Sequence, residues 1–177
     1  TQVSKLTATQ VGAIETADLK EMSATQIGAL SADGVAALKT TQIAALTNDQ
    51  IKALKTEQLV ALKTSQVAAL SNEQLGALTS GQIGELSNAS IGALKTTQVA
   101  ALSADQVSGI SAAKMTALST GQVTALSAAA VAGLTTDQLG AMSSTQVAAL
   151  DSGDLAGISA EKFAALDPDG ITALKTA

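Results

Sequence analysis

Fourteen glutamines stand at one phase of an eight-residue period: Gln2, Gln10, Gln26, Gln42, Gln50, Gln58, Gln66, Gln74, Gln82, Gln98, Gln106, Gln122, Gln138 and Gln146. A column of primary amides can do two kinds of work. Presented outward, it is a ladder of donors and acceptors suited to glycans or to a neighbouring filament. Turned onto its own chain, each amide caps a helix by accepting a backbone N–H. The remaining positions of the column hold Asp18, Gly34, Ser90, Lys114, Ala130, Asp154, Lys162 and Gly170. An interface that needed glutamine throughout would not tolerate that variety, so local capping is the expected role. On that reading Gln106→Ala should cost only about 1 kcal/mol, as for a lost cap.

The other polar groups suggest chemistry only weakly. Thr40-Thr41 and Thr96-Thr97 match no catalytic pattern, but regularly spaced hydroxyls on a flat face would suit ice. The same positions elsewhere hold Ala, Asp, Asn or Gly, which breaks any such face. Asp151-Ser152-Gly153-Asp154 and Asp167-Pro168-Asp169-Gly170 share the outline of calcium loops without their ligand number, and fit better as helix caps. Asn88-Ala89-Ser90 is a formal glycosylation sequon whose Ser90 fills a glutamine position. Serines and threonines abound, but no His supplies a base and no Cys supplies a thiolate. An enzyme is not expected, nor a cofactor or a metal site.

Composition narrows the partners. The net charge is −5, and Arg, Trp and Tyr are absent, with Phe163 the one aromatic. Without basic runs or aromatic platforms, nucleic acid is not an expected ligand class. An acidic surface is also repelled by anionic lipid. The uncharged stretch between Lys114 and Asp137 is broken throughout by Ser119, Thr120, Gln122, Thr124, Ser127, Thr135 and Thr136, so it is ordinary repeat sequence rather than a membrane span. Lack of Cys excludes disulfides and leaves the redox compartment open.

The elements that hold these residues follow from two apolar columns. Val3, Val11, Leu19, Ile27 and their successors to Ile171 recur every eight residues, and Leu6, Ile14, Met22, Leu30 and theirs to Leu174 recur three places later. The pair repeats in 22 consecutive units across residues 1–177, and outside the columns the only large aliphatic is Val60. The expected organisation is one uninterrupted array without capping units. It begins at Thr1 and stops at Ala177 inside repeats, which suggests a piece of a longer array or a subunit that stacks end to end.

Within a unit such as Leu46-Thr47-Asn48-Asp49-Gln50-Ile51, Thr47 and Gln50 form a capping box, and Leu46 and Ile51 stand where a hydrophobic staple places its partners. Three further features select the same frame. Pro168 follows the Asp167 cap at the first helical position. Asp33, Asp49, Glu57, Glu73, Asp105, Asp137, Glu161 and Asp169 share one first-turn column. Lys39, Lys55, Lys63, Lys95 and Lys175 follow the second aliphatic, at the helix end where a cation is favoured. Each of those lysines precedes a Thr, which could take over capping one residue later.

The expected fold is therefore all-α: a solenoid of very short helices, about seven residues each, one per repeat. One continuous helix is excluded, because eight residues advance roughly 800° and the columns would drift by about 80° per unit. A β-solenoid is the alternative, disfavoured because positions three apart face opposite sides of a strand. A small residue precedes the second aliphatic almost everywhere, and its glycines, Gly109, Gly133 and Gly157, are spaced by twenty-four. That spacing fits three helices per superhelical turn, although two per turn is also compatible with the forty-eight-residue recurrence of Ile110–Met115 as Ile158–Phe163. A lone unit buries too little to fold, so stability should grow with repeat number.

Units of the form Leu-Ser/Thr-x-x-Gln-Val-x-Ala, such as Leu102-Ser103-Ala104-Asp105-Gln106-Val107, resemble the octapeptide arrays of very large bacterial secreted or surface proteins, some of them adhesin-like. The resemblance spans the whole chain and is one of repeat pattern. It implies an extracellular or cell-surface stalk, spacer or fibre segment whose partners are neighbouring repeats of the same or stacked chains. The heme link of some such proteins does not transfer, because His, Tyr and Cys are absent and Met22, Met115 and Met142 lie in core columns. The alternative function is a binding module that offers a solenoid face to protein, glycan or ice.

Overall fold

The computed structural model describes residues 2–174, so Lys175 of the lysine column lies outside the described residues. A short 3-10 helix, Gln2–Lys5, is followed by 21 α-helices and, among the described residues, no strand. This is the expected all-α repeat and excludes the β-solenoid. The helices are shorter than expected, at four to six residues rather than about seven. The reason is local. The second-column aliphatic leaves the helix in an extended conformation, as at Leu38 (φ −60°, ψ 140°) and Leu46 (φ −64°, ψ 143°). The cap residue after it is extended too, as at Thr47 (φ −73°, ψ 161°). Two of every eight residues thus break the spiral, and at most six remain helical.

Each corner is turned without a glycine hinge, since no described residue has a positive φ. The chain instead tightens to a 3-10 closure at the helix end. The second-column amide donates to the first-column carbonyl three residues back, as in Leu54 N to Ile51 O (3.1 Å) and Ile110 N to Val107 O (3.0 Å). The two apolar columns are therefore joined by their own backbone as well as by burial.

The chain forms two compact units, residues 1–93 and 94–177. Within each, a helix packs on the third one along. In the first unit Ala32–Ala37 lies between Ala8–Ala13 and Thr56–Val60, while Thr40–Ala45 packs on Thr16–Glu21 and Asn48–Lys52 on Ala24–Ile27. In the second, Ala128–Gly133 packs on Ala104–Ser108 and Thr136–Gly140 on Ala112–Met115. Each turn therefore contains three helices, as the glycine spacing suggested, and the two-helix alternative is excluded. Both aliphatic columns point inward and are buried from Ile27 to Leu150, whereas Val60, outside the columns, is 53% exposed.

Glycine at the helix end matters unequally along the chain. A Cβ on Gly133, the last residue of its helix, would lie 2.6 Å from the Cβ of Ala104 and 2.9 Å from its carbonyl oxygen. A Cβ on Gly76, also the last residue of its helix, would meet nothing within 4 Å. The same substitution should therefore have opposite signs. Gly76→Ala is expected to stabilise by roughly 0.5–1 kcal/mol through helix propensity and unfolded-state entropy. Gly133→Ala should destabilise by about 1–2 kcal/mol, because overpacking outweighs that gain. Urea titration of the two variants against the parent measures both.

Candidate functional site

The capping boxes form as the sequence indicates. Thr47 Oγ1 accepts from Gln50 N (3.2 Å), and Gln50 Oε1 accepts from Thr47 N (2.8 Å). Acids in the first turn stand beside free helix amides. Glu73 is held below the usual carboxylate range by its own backbone N–H and then by the Ser71 hydroxyl, which donates to its Oε2 at 2.8 Å.

At lysine units the expectation changes. The Thr after the lysine does not become the cap; Lys39, Lys55, Lys63 and Lys95 occupy the cap position themselves, and their helices begin at Thr40, Thr56, Thr64 and Thr96. The phase of the buried columns fixes the frame, and moving the cap by one would displace the glutamine from its third helical position. Half of each box survives without a hydroxyl, because Gln42 Oε1 still accepts from Lys39 N (2.6 Å) and Gln58 Oε1 from Lys55 N (2.8 Å).

Capping is only half of what the glutamines do. Gln58 Nε2 donates to Ile27 O (3.0 Å) and to Leu30 O (2.8 Å), one turn earlier in the array. Gln66 repeats this on Val35 O (2.9 Å) and Leu38 O (2.8 Å), and Gln146 on Met115 O (2.8 Å) and Leu118 O (2.7 Å). In these three the acceptors lie 31 and 28 residues upstream, on the first- and second-column aliphatics of one helix end. Gln82 keeps the second-column acceptor, Leu54 O (2.9 Å), and takes Lys52 O (2.9 Å) for the other. A helix of five residues leaves most of its carbonyls without an internal partner. The glutamine of the following turn supplies the missing donors.

Only a neutral amide of this length fits the task. It offers one acceptor to its own cap and two donors to the neighbouring turn. Glutamate would lose both donors and bring charge into a buried site. Gln58 is accordingly fully buried, while Gln10 and Gln26, which have no residue 28 places upstream, are exposed. Sequence reasoning missed this second role because the partners are distant in the chain. The available signal was the constancy of Gln, where a simple cap would accept Glu equally well.

The substituted positions show how the column is completed otherwise. Lys162 Nζ donates to Ala132 O (2.6 Å), and the buried Ser90 hydroxyl lies 3.5 Å from Leu62 O and 2.9 Å from Ser87 Oγ. The sequon serine is thus a packed core hydroxyl. Gly170 sits where a Cβ would come within 2.6 Å of the Val147 Cβ, so no side chain fits there. Asp151 and Asp167 act as caps: Asp151 Oδ1 accepts from Asp154 N and Asp167 Oδ2 from Gly170 N, each at 2.9 Å.

Outside the column the surface is shallow. Thr40, Thr41, Thr96 and Thr97 are exposed, but the helices packed alongside present Ala17 beside Thr41's row and Gly121 beside Thr97's. A groove of ≈ 530 Å³ is lined by Thr120, Thr124, Thr145, Ala148, Asp151 and Ser152, and the Thr124 hydroxyl is already taken up by Thr120 O (3.0 Å) and Ala149 O (3.3 Å). Among the described residues no three His, Cys, Asp or Glu side chains gather closely enough to hold a metal ion. No helix among them is long and apolar enough to cross a membrane.

The family model of the ALTTAQ repeat matches residues 11–48, 51–88 and 115–152, together well over half of the chain. All three matches begin on a first-column aliphatic (Val11, Ile51 and Met115), so the family repeats in the phase set by the buried columns. No curated protein matches the chain. A tandem array of short capped helices, with this phase and these matches, belongs to the ALTTAQ repeat family.

Proposed function

We propose that this array is a structural spacer: a stalk or fibre segment of a bacterial secreted or surface protein, whose product is length rather than recognition. The observation that supports this reading is where the recurrent polar side chain is spent. The most regular polar residue, Gln, is buried and committed to the neighbouring turn. What faces solvent is mostly small and interchangeable, with Ala, Gly, Ser, Thr, Asn and Asp alternating at equivalent positions and only scattered Lys, Glu, Val60 and Phe163 among them. A recognition surface needs distinctive exposed anchors, whereas a spacer needs only turns that hold to one another. The surface-protein setting rests on the resemblance of the octapeptide pattern to adhesin-like arrays.

Duplicating residues 112–135 inside the second unit adds one turn of three helices. The expected result is a maximum dimension, by small-angle X-ray scattering, that rises by the same increment with each added turn. A dimension that stays constant as turns are added would overturn the spacer reading. Glycan-array binding or thermal hysteresis at micromolar protein would instead select the binding-module alternative, and end-to-end polymers in electron micrographs would select the fibre version.

A further inference from the structure

One position of the glutamine column holds a buried group of the wrong polarity. Asp154 is 5% exposed, in the helix Ser152–Ala156 that packs on Ala128–Gly133. Its Oδ2 accepts from Asp151 N (3.1 Å), which reproduces the cap half of a glutamine. The other half cannot be reproduced by a carboxylate. By the register that places Gln138 on Val107 and Ile110, and Gln146 on Met115 and Leu118, position 154 belongs to the carbonyls of Val123 and Leu126. Val123 O already accepts from Leu126 N (3.0 Å) and has only its second lone pair to offer, whereas Leu126 O is left to position 154, where an ionised carboxylate has no proton to donate.

We propose that this turn is tightened by acid: on taking a proton from solvent, the Asp154 carboxyl gains an O–H, which it donates to the carbonyl of Leu126 or Val123 in place of the glutamine amide. Above the titration the carboxylate offers those carbonyls no donor, so this one turn-to-turn link is missing while Gln146 and Lys162 on either side keep theirs.

The surroundings favour the neutral form. Neither Ala128–Gly133, nor the segment Val123–Leu126, nor the preceding helix Ser144–Val147 carries a titratable side chain. On the following helix, Ala160–Ala164, stand Glu161 and Lys162, and the Lys162 ammonium is committed to Ala132 O at 2.6 Å. The nearest charge on its own element is the Asp151 cap, which is of like sign. Burial pushes the Asp154 carboxyl above the ordinary aspartate range, the Asp151 amide opposes this, and the Asp151 charge adds to it. A carboxyl whose folded pKa is raised stabilises the fold below its unfolded pKa, and that contribution is lost as pH rises through the folded value. The sign is thus opposite to that of the helix-cap acids, and the device is independent of any spacer role.

Two measurements on the whole chain test it. Carbon-13 detection of the side-chain carboxyls, with the Asp154 resonance identified by its loss in Asp154→Asn, should give a midpoint above the ordinary value of about 3.9. A midpoint at or below that value would overturn the proposal. Asp154→Gln should raise the unfolding temperature at pH 7 by roughly 2–4 °C, the shift typical of one regained interaction in a chain of this length. That advantage over the parent should shrink by at least half at pH 3, where cap acids common to both chains cancel. An advantage unchanged between the two pH values would overturn the proposal, and if Asp154→Gln folds poorly the carboxyl titration alone decides.

Discussion

Leu102→Asp is expected to unfold a run of neighbouring repeats in the second unit, not one helix. Leu102 is 3% exposed, and its amide closes the preceding helix by donating to Val99 O at 3.1 Å. Ionised aspartate at that site is an unpaired buried charge with no cation beside it in the column. A penalty of this class exceeds about 4 kcal/mol. Because each helix depends on the third one along, the loss passes from Thr96–Ala100 to its packing partner Thr120–Thr124. Nearest-neighbour coupling of this kind makes a repeat array lose blocks. Circular dichroism at 222 nm should fall by the share of several units while the remainder melts cooperatively. A spectrum that matches the parent would show that the second column is dispensable there.

The second large effect concerns the glutamines. Gln138→Ala is expected to cost roughly 3 kcal/mol, well above a lost cap, because it strands buried acceptors as well as removing bonds. Gln138 Oε1 accepts from Thr135 N at 2.8 Å, and Nε2 donates to Val107 O at 2.7 Å and to Ile110 O. The comparison that isolates the turn-to-turn part is Thr135→Ala. That change removes only the hydroxyl accepting from Gln138 N at 3.2 Å and should cost about 1 kcal/mol. Denaturant titrations of the two variants should therefore differ by a factor of about three in their effect. Equal losses would mean that the amide is a cap and nothing more, the role that local pattern alone assigns to Gln106.

What could be read from the chain is what depends on near neighbours. Thr47, Gln50, Leu46 and Ile51 lie within six residues of one another, so box, staple and core face follow from their types and spacing. Helix length does not follow in the same way, because extended geometry at Leu38 and Leu46 leaves no trace in residue type. The lysine caps escape local reading for a related reason. Capping preference favours Thr40 over Lys39, but the buried phase of Leu38 and Ile43 decides the frame and overrides it. The turn-to-turn bonds of Gln58 and Gln138 join residues 28 and 31 apart, beyond the range of local pattern. The glycine spacing is the exception: at Gly133 a Cβ would lie 2.6 Å from that of Ala104, and at Gly157 3.4 Å from that of Ala132, so packing on the preceding turn left a trace in residue type.

That one turn holds three equivalent eight-residue units has a genetic consequence. Loss or gain of one octapeptide by unequal recombination moves every downstream helix from one side of the turn to the next. Yet each glutamine still finds, 28 residues upstream, the carbonyl of a second-column aliphatic, because every side presents the same one. Copy number is therefore free to change by single octets instead of triplets, and only close-fitting pairs such as Gly133 over Ala104 resist the slip. An array built on this rule can be lengthened or shortened at little structural cost.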